Sequence, residues 1–167
     1  MATPGRLGTV AVVGNGIIGH GVAQVFAVAG HAVRLIGRSA ASLERAMARI
    51  RESLDQFERH GLLTAAGRDA ASARITPSTA LETAADAGLV VEAVTEDLAL
   101  KHTIFEHLDR ICPPPAVLAS SSGQPASRLV ARVAHRGRVV AAHFWNPPQL
   151  IPLVEVCAGA ETDADVV

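Results

Sequence analysis

The residues best suited to chemistry gather in the last third of the sequence. His143 opens the run H-F-W-N-P, which also contains Asn146, and Glu155 follows in L-V-E-V. A histidine can take the proton of an alcohol near neutral pH, because its ordinary pKa is about 6.5. A carboxylate bonded to its other ring nitrogen would fix the tautomer and stabilise the imidazolium. Together with Asn146, Ser122 could hold an oxygen on which charge changes during such a reaction.

A glycine-rich stretch near the start predicts a dinucleotide site. The sequence V-A-V-V-G-N-G-I-I-G carries G-x-G-x-x-G between a short apolar run and a helical pattern. Gly14 permits a tight turn, Gly16 lets a pyrophosphate approach the backbone, and Gly19 lets the helix lie close to the strand. The N-terminus of that helix offers free N–H groups to the phosphates. The expected cofactor contacts are Gly14, Asn15, Gly16, Ile17, Ile18 and Gly19.

The end of the second strand favours a phosphorylated cofactor. A site that selects NAD commonly has an acidic residue there, but this sequence has Gly37, followed by Arg38 and Ser39. A guanidinium and a hydroxyl can hold a 2′-phosphate, which an acid would repel. The cofactor is therefore expected to be NAD or NADP, with a lean toward NADP. An Arg38 that faces solvent and contacts nothing is the open alternative.

Apolar runs and helical patterns alternate along the chain. This alternation predicts an α/β fold of Rossmann type, with a doubly wound, mostly parallel sheet in one domain over residues 1–167. The expected strands are Thr9–Val13, Ala32–Ile36, Gly88–Val94, Val117–Ser120, Val139–His143 and Leu153–Cys157. The expected helices are Ile17–Ala29, a long one from Ser39 to Gly61, Leu81–Ala87, Asp97–Ile111 and Ala126–Ala134. Residues 62–78 are expected to be irregular or weakly helical, with a break at Thr76–Pro77 and a possible short strand at Ile75.

Composition excludes several classes of function. The net charge of −1 gives no basic field for nucleic acid, and two distant cysteines suit neither a disulfide framework nor a metal site. Leu7 to Val33 lacks Asp, Glu, Lys and Arg, but its polar residues and early glycines argue against a membrane span. We expect a cytoplasmic protein with no metal, nucleic-acid or membrane partner.

Four ordered motifs carry a family resemblance. GNGIIGHG, VVEAVTEDLALK, LASSSG and AHFWNPPQLIPLVEV resemble, in that order, the N-terminal domain of 3-hydroxyacyl-CoA dehydrogenases. The resemblance implies oxidation of an L-3-hydroxyacyl thioester to the 3-keto compound, with hydride passing to a nicotinamide.

The resemblance also implies roles for the residues at the end of the chain. His143 matches the catalytic histidine, Glu155 the acid that pairs with it, and Asn146 a residue at the nicotinamide and substrate. Ser122 matches the serine that bonds the reacting oxygen, with Ser121 as the second choice because the serine-rich stretch is one residue shorter than in many relatives. A surface role for Glu155 and a plain turn at the serines are the alternatives.

Three further positions follow from the same resemblance. Glu96 and Lys101 match cofactor-contacting positions, and Ser53 in the long helix matches a position near the CoA moiety. A solvated Lys101 on the helix face is the alternative for that residue.

Two departures widen the functional hypotheses. Relatives continue into an all-helical domain that builds a dimer, while this sequence stops at Val167. We expect a homodimer where that domain is present, and dinucleotide binding with little or no acyl-CoA turnover by the 167-residue chain itself. N-P-P-x-x-I-P-L-V-E also recurs in relatives that act on free hydroxy acids, such as L-gulonate dehydrogenases, and His60 stands where a lysine is often found near CoA. The alternatives are therefore a dehydrogenase of small free hydroxy acids and a non-catalytic dinucleotide-binding subunit.

Overall fold

The computed structural model describes residues 7–167, which form a seven-stranded sheet with helices on both faces. The first six residues of the expected 1–167 domain lie outside the described part. The strand order is β3-β2-β1-β4-β5-β6-β7; all neighbours are parallel except β6 and β7. This order confirms the doubly wound, mostly parallel sheet. The strands are β1 Thr9–Val13, β2 Val33–Ile36, β3 Ile75–Ser78, β4 Ala87–Glu92, β5 Val117–Ser120, β6 Val139–Phe144 and β7 Val154–Ala158.

Helices cover the sheet because its strands are apolar on both faces. In β1, Val10 and Val12 pack into one core, while Ala11 and Val13 pack into the other. The first core takes its helical residues from the α1–α3 side and the second from the α4–α5 side. The helices are α1 Ile17–Val28, α2 Ala40–Arg59, α3 Ala65–Ala73, α4 Leu98–Ile111 and α5 Ala126–Leu129.

The segment between α2 and β4 is more ordered than its sequence indicates. The expected weakly helical stretch and the short strand at Ile75 are present as α3 and β3, whereas the irregular alternative and the break at Thr76–Pro77 are wrong. The hydroxyl of Thr64 caps α3 by accepting a hydrogen bond from Gly67 N at 3.1 Å. Pro77 lies inside β3 instead of breaking the chain, and an edge strand tolerates the missing N–H.

Two predicted helices are shorter in the structure. Leu81–Ala84 is a single 3₁₀ turn, so the expected helix Leu81–Ala87 gives its last residue to β4. The expected helix Ala126–Ala134 ends at Leu129 and continues as a 3₁₀ turn. The last strand begins and ends one residue later than expected and pairs antiparallel with β6.

A buried ion pair fixes the entry to β6. Arg138 donates to Asp109 Oδ1 from Nη2 at 2.8 Å and to the Pro113 carbonyl at 2.8 Å, while Asp109 Oδ2 accepts from Ala134 N at 2.8 Å. Burial raises the pKa of Asp109, but the hydrogen bonds from Arg138 and the backbone outweigh it and hold that pKa below its usual value. This network ties α4 to the segment that leads into β6 and therefore to His143.

No helix of the described part is long and apolar enough to cross a membrane. The uncharged stretch from Leu7 to Val33 instead forms β1, α1 and the start of β2.

Candidate functional site

A cleft of about 730 Å³ opens where the strand order reverses. Its floor is formed by the ends of three parallel strands, with Val13 of β1, Ile36 of β2 and Ala93 after β4. Carboxyl ends of parallel strands at such a reversal form the usual ligand crevice of open α/β sheets. The cleft is lined by Gly14, Asn15, Gly16, Ile17, Ile18 and Arg38 among the residues expected from sequence.

The surroundings of each glycine in the G-x-G-x-x-G run agree with its predicted role. Gly14 has a φ of +109°, and a side chain there would strike the backbone of Ala93. A side chain at Gly19 would strike the Gly14 carbonyl, so α1 lies directly against the turn. A Cβ at Gly16 would have no heavy atom within 4 Å. The open space at Gly16 leaves room for a phosphate beside the free N–H groups that begin α1.

The end of the cleft beside β2 and α2 is basic. Arg38 follows β2, and Arg45 and Arg49 of α2 line the same cleft together with Ser42. Ser39 caps α2 by accepting a hydrogen bond from Ser42 N at 3.3 Å. Sequence reasoning missed the three α2 residues, although their spacing of three and four places them on one helix face.

A buried charge pair joins the last residue of β4 to the beginning of α4. Lys101 is 1% exposed, and its Nζ donates to Glu92 Oε1 at 2.7 Å. The other oxygen of Glu92 accepts from Ser120 Oγ at 2.6 Å, and Val94 N donates to Oε1 at 2.7 Å. The alternative of a solvated Lys101 is therefore wrong. Sequence reasoning missed Glu92, whose place inside an apolar run, V-V-E-A-V, was the available signal.

Glu96 connects this pair to the loop after β5. Its Oε1 lies 3.5 Å from Lys101 Nζ, and its Oε2 accepts from Ser122 Oγ at 2.6 Å. The Ser122 oxygen also accepts from Gln124 N at 3.0 Å. Glu96, Lys101 and Gln124 line a small polar recess of about 60 Å³. The structure therefore brings Glu96, Lys101 and Ser122 together, with the Ser122 hydroxyl proton directed to Glu96.

His143 and Glu155 face each other across two antiparallel strands. They are register partners in β6 and β7, and His143 Nδ1 lies 2.9 Å from Glu155 Oε2. About half of each side chain is exposed, at 46% and 52%, so Nε2 of the imidazole remains available to a ligand. Hydrogen bonds from His143 and then from Trp145 hold the pKa of Glu155 below its usual value. An ionised carboxylate on Nδ1 keeps that nitrogen protonated and leaves Nε2 as the basic atom.

The remaining predicted residues lie apart from these contacts. Asn146 is exposed in the connection between β6 and β7. Ser53 is half-buried on α2 and, like Ser39, is not among the described residues that line the cleft. Among residues 7–167, no cluster of three or more His, Cys, Asp or Glu side chains is placed to hold a metal ion.

Comparison with known proteins gives consistent matches. Residues 9–167 match the family described as 3-hydroxyacyl-CoA dehydrogenase, NAD binding domain. A 3-hydroxyadipyl-CoA dehydrogenase of Escherichia coli K12 is 38% identical over 95% of this chain and 34% of its own length. A probable 3-hydroxybutyryl-CoA dehydrogenase of Bacillus subtilis is 36% identical over 92% of this chain and 54% of its own length.

A solved structure agrees with these matches. The crystal structure of a 3-hydroxybutyryl-CoA dehydrogenase from E. coli K12 superposes with a TM-score of 0.93 at 37% identity, covering 96% of this chain and 34% of that one. The chain thus spans between a third and a little over half the length of the curated relatives named here.

Proposed function

The chain belongs to the NAD-binding domain family of the 3-hydroxyacyl-CoA dehydrogenases, and from that premise we propose that it serves hydride transfer between a nicotinamide cofactor and the C3 hydroxyl of an L-3-hydroxyacyl-CoA. The observation that carries the proposal is the 2.9 Å contact between His143 Nδ1 and Glu155 Oε2. It supplies an oriented base at the same end of the parallel strands as the cleft.

The proton step uses the free nitrogen of the imidazole. Nε2 of His143 accepts the proton of the substrate hydroxyl, while Nδ1–H donates to Glu155 and the carboxylate stabilises the imidazolium that forms. In the reverse direction the same histidine returns the proton to the keto oxygen. A bound nicotinamide supplies the hydride acceptor or donor. Asn146, in the β6–β7 connection, is proposed to hold the nicotinamide and substrate oxygen.

The strand order supports a continuous site along one edge of the sheet. The glycine turn follows β1, Glu96 follows β4, Ser122 follows β5, and His143 lies one residue before the end of β6. Neighbouring strands lie about 4.8 Å apart, so β4 and β6 are separated by roughly 10 Å. With the adenosine half over β1 and β2, the nicotinamide half of a dinucleotide extends over β4 toward the histidine.

Glu96 is proposed to form the cofactor-facing wall between the adenosine and nicotinamide halves, and Lys101, which is only 1% exposed, is proposed to support that wall. Lys101 holds Glu96 from the buried side, and Glu96 in turn holds Ser122. As a direct ligand of the reacting oxygen, Ser122 must redirect its hydroxyl proton from Glu96 to the substrate. If Ser122 instead keeps its hydrogen bond to Glu96, its role is to hold the Glu96 carboxylate in position. Ser53, on α2, is proposed to contact the CoA moiety.

The cofactor is proposed to be NADP, with NAD as the weaker ligand. Arg38 lines the cleft immediately after Gly37, where an acid would select the unphosphorylated ribose. A guanidinium there stabilises a 2′-phosphate through charge-assisted hydrogen bonds.

The test is a single-turnover assay with the protein in excess over reduced cofactor, so that a slow chemical step still registers. NADPH oxidation is followed with acetoacetyl-CoA and, in parallel, with the keto forms of gulonate and 3-hydroxybutyrate. We expect the thioester to react fastest. Faster reaction of a free acid would favour the free hydroxy-acid dehydrogenase suggested by N-P-P-x-x-I-P-L-V-E. Tight cofactor binding without oxidation by any substrate, in the 167-residue chain and also in a form extended by the helical domain of a relative, would favour a non-catalytic dinucleotide-binding subunit.

A further inference from the structure

We infer that Asn15 is a determinant of cofactor selectivity, because its side chain fills the space that an acidic residue at position 37 would need. This inference rests on the proposed function, in that it assumes a dinucleotide in the cleft. In this inference Asn15 and Gly37 together determine which cofactor binds, and Arg45 and Arg49 bind the phosphate on the ribose.

The glycine at position 37 is required by a neighbouring side chain. Its φ lies outside the positive region, so the backbone itself would accept another residue. A Cβ built there would lie 2.8 Å from Asn15 Cγ and 2.9 Å from both Nδ2 and Oδ1. Such contacts are shorter than carbon atoms tolerate, so any larger residue at position 37 must displace the Asn15 carboxamide.

The Asn15 carboxamide is held in this position. Its Nδ2 donates to Ser42 Oγ at 3.0 Å, and Ser42 Oγ donates to the Ser39 carbonyl at 2.8 Å. The loop after β1, the end of β2 and the start of α2 are thereby joined. Displacing Asn15 would break its hydrogen bond to Ser42.

The charged side chains that line the cleft are all positive. Arg38, Arg45 and Arg49 line the cleft, no Asp or Glu is among its described lining residues, and none of the three guanidinium groups pairs with a carboxylate within residues 7–167. Arg45 and Arg49 are four residues apart and project from one face of α2. Three exposed cations without a counter-ion, beside a ribose site without an acid, fit a phosphate on that ribose.

The two observations predict that an acidic residue at position 37 can bond the ribose hydroxyls of NADH only when the Asn15 side chain is removed. Gly37→Asp alone brings a carboxylate that repels the 2′-phosphate, while Asn15 competes for its place and prevents clean bonding to the ribose hydroxyls. Asn15→Ala together with Gly37→Asp frees that place. The effects of the two substitutions on NADH affinity should therefore be non-additive.

The experiment is a double-mutant cycle on the 167-residue chain, read by fluorescence titration with NADPH and NADH. We expect Gly37→Asp to weaken NADPH about tenfold or more with little gain for NADH. Asn15→Ala, which removes a side chain that lines the cleft, should weaken NADPH and NADH by the same factor. The double variant should bind NADH about tenfold more tightly than Gly37→Asp does. Thermal unfolding of each variant verifies that it is folded. Additive effects on NADH affinity would overturn the role of Asn15.

A second arm tests the phosphate site without changing residue 37. Arg49→Ala and Arg45→Ala should each weaken NADPH about tenfold while changing NADH by less than about twofold. Arg51→Ala is the matched control, because Arg51 is exposed on the same helix but does not line the cleft. Equal losses for the two cofactors would overturn the phosphate assignment. A wild-type preference for NADH would overturn the proposed cofactor, whereas the non-additivity of the cycle would still decide the role of Asn15.

Discussion

At the scale of residues, the site depends on side chains that are distant in sequence and adjacent in space. His143 and Glu155 are 12 residues apart and meet because β6 and β7 pair in that register. Their identities could be predicted from the motif resemblance, since both stand in short distinctive runs. The burial of Lys101 could not be predicted, because a lysine on an amphipathic helix normally faces water and only the fold places Glu92 beneath it.

The pairing of His143 and Glu155 predicts an altered titration of the carboxyl group. Because His143 and Trp145 donate to the carboxylate, its pKa in the folded protein lies below the ordinary glutamate value of about 4.3. The stabilisation that this pair gives is thus fully present above that ordinary value and is lost as the pH falls through the folded pKa. NMR of the Glu155 side-chain carboxyl carbon measures the midpoint directly.

Substitution of the histidine provides the comparison for this titration. His143→Ala should move the Glu155 midpoint upward, whereas His107→Ala, which removes a histidine near Glu82 on the surface, should leave it unchanged. A wild-type midpoint at or above about 4.3 would mean that the contact does not persist in solution.

At the scale of elements, the β1–α1 turn separates structural from ligand-binding glycines. Gly14 is required by its positive φ and the nearby backbone of Ala93, and Gly19 is required by the close approach of α1 to the Gly14 carbonyl, whereas Gly16 faces open space. The sequence predicts this unit well because its glycines occupy fixed positions between a strand and a helix. It predicts α3 only as a weakly helical or irregular stretch, because the Ala-, Gly- and Ser-rich sequence of that helix has only Ala71 buried and so shows no apolar periodicity.

Two alanine substitutions should distinguish the glycine that the fold requires from the glycine that cofactor binding requires. Gly19→Ala forces a methyl group against the Gly14 carbonyl, so we expect a loss of about 3 kcal/mol and a fall in Tm of roughly 10 °C. Gly16→Ala should leave the Tm nearly unchanged, because φ is −74° there and no atom lies near the added Cβ.

The same Gly16→Ala variant should weaken dinucleotide binding about tenfold or more, since the methyl group would occupy the space left for the pyrophosphate. Thermal unfolding and cofactor titration on both variants make the comparison. A Gly16→Ala protein that binds NADPH as tightly as wild type would place the pyrophosphate elsewhere.

At the scale of the whole molecule, the cleft and the proposed catalytic residues lie at the same end of the parallel strands. The cleft, the Glu96–Ser122 contact and the His143–Glu155 pair follow β1, β4, β5 and β6 in spatial order. This arrangement follows from parallel topology, which the alternation of strands and helices predicts. The contact between Asn15 and position 37 could not be read from the sequence, because it depends on how two loops approach across the cleft.

The most direct test of the account compares His143→Ala with the wild-type chain in the single-turnover oxidation of NADPH by acetoacetyl-CoA, alongside cofactor titrations. We expect the rate to fall about 10³-fold, within the range of general acid–base catalysis, while the Kd for NADPH changes by less than about twofold. His107→Ala should alter neither quantity. Hydride transfer at the wild-type rate in His143→Ala would contradict the central claim that this imidazole moves the proton.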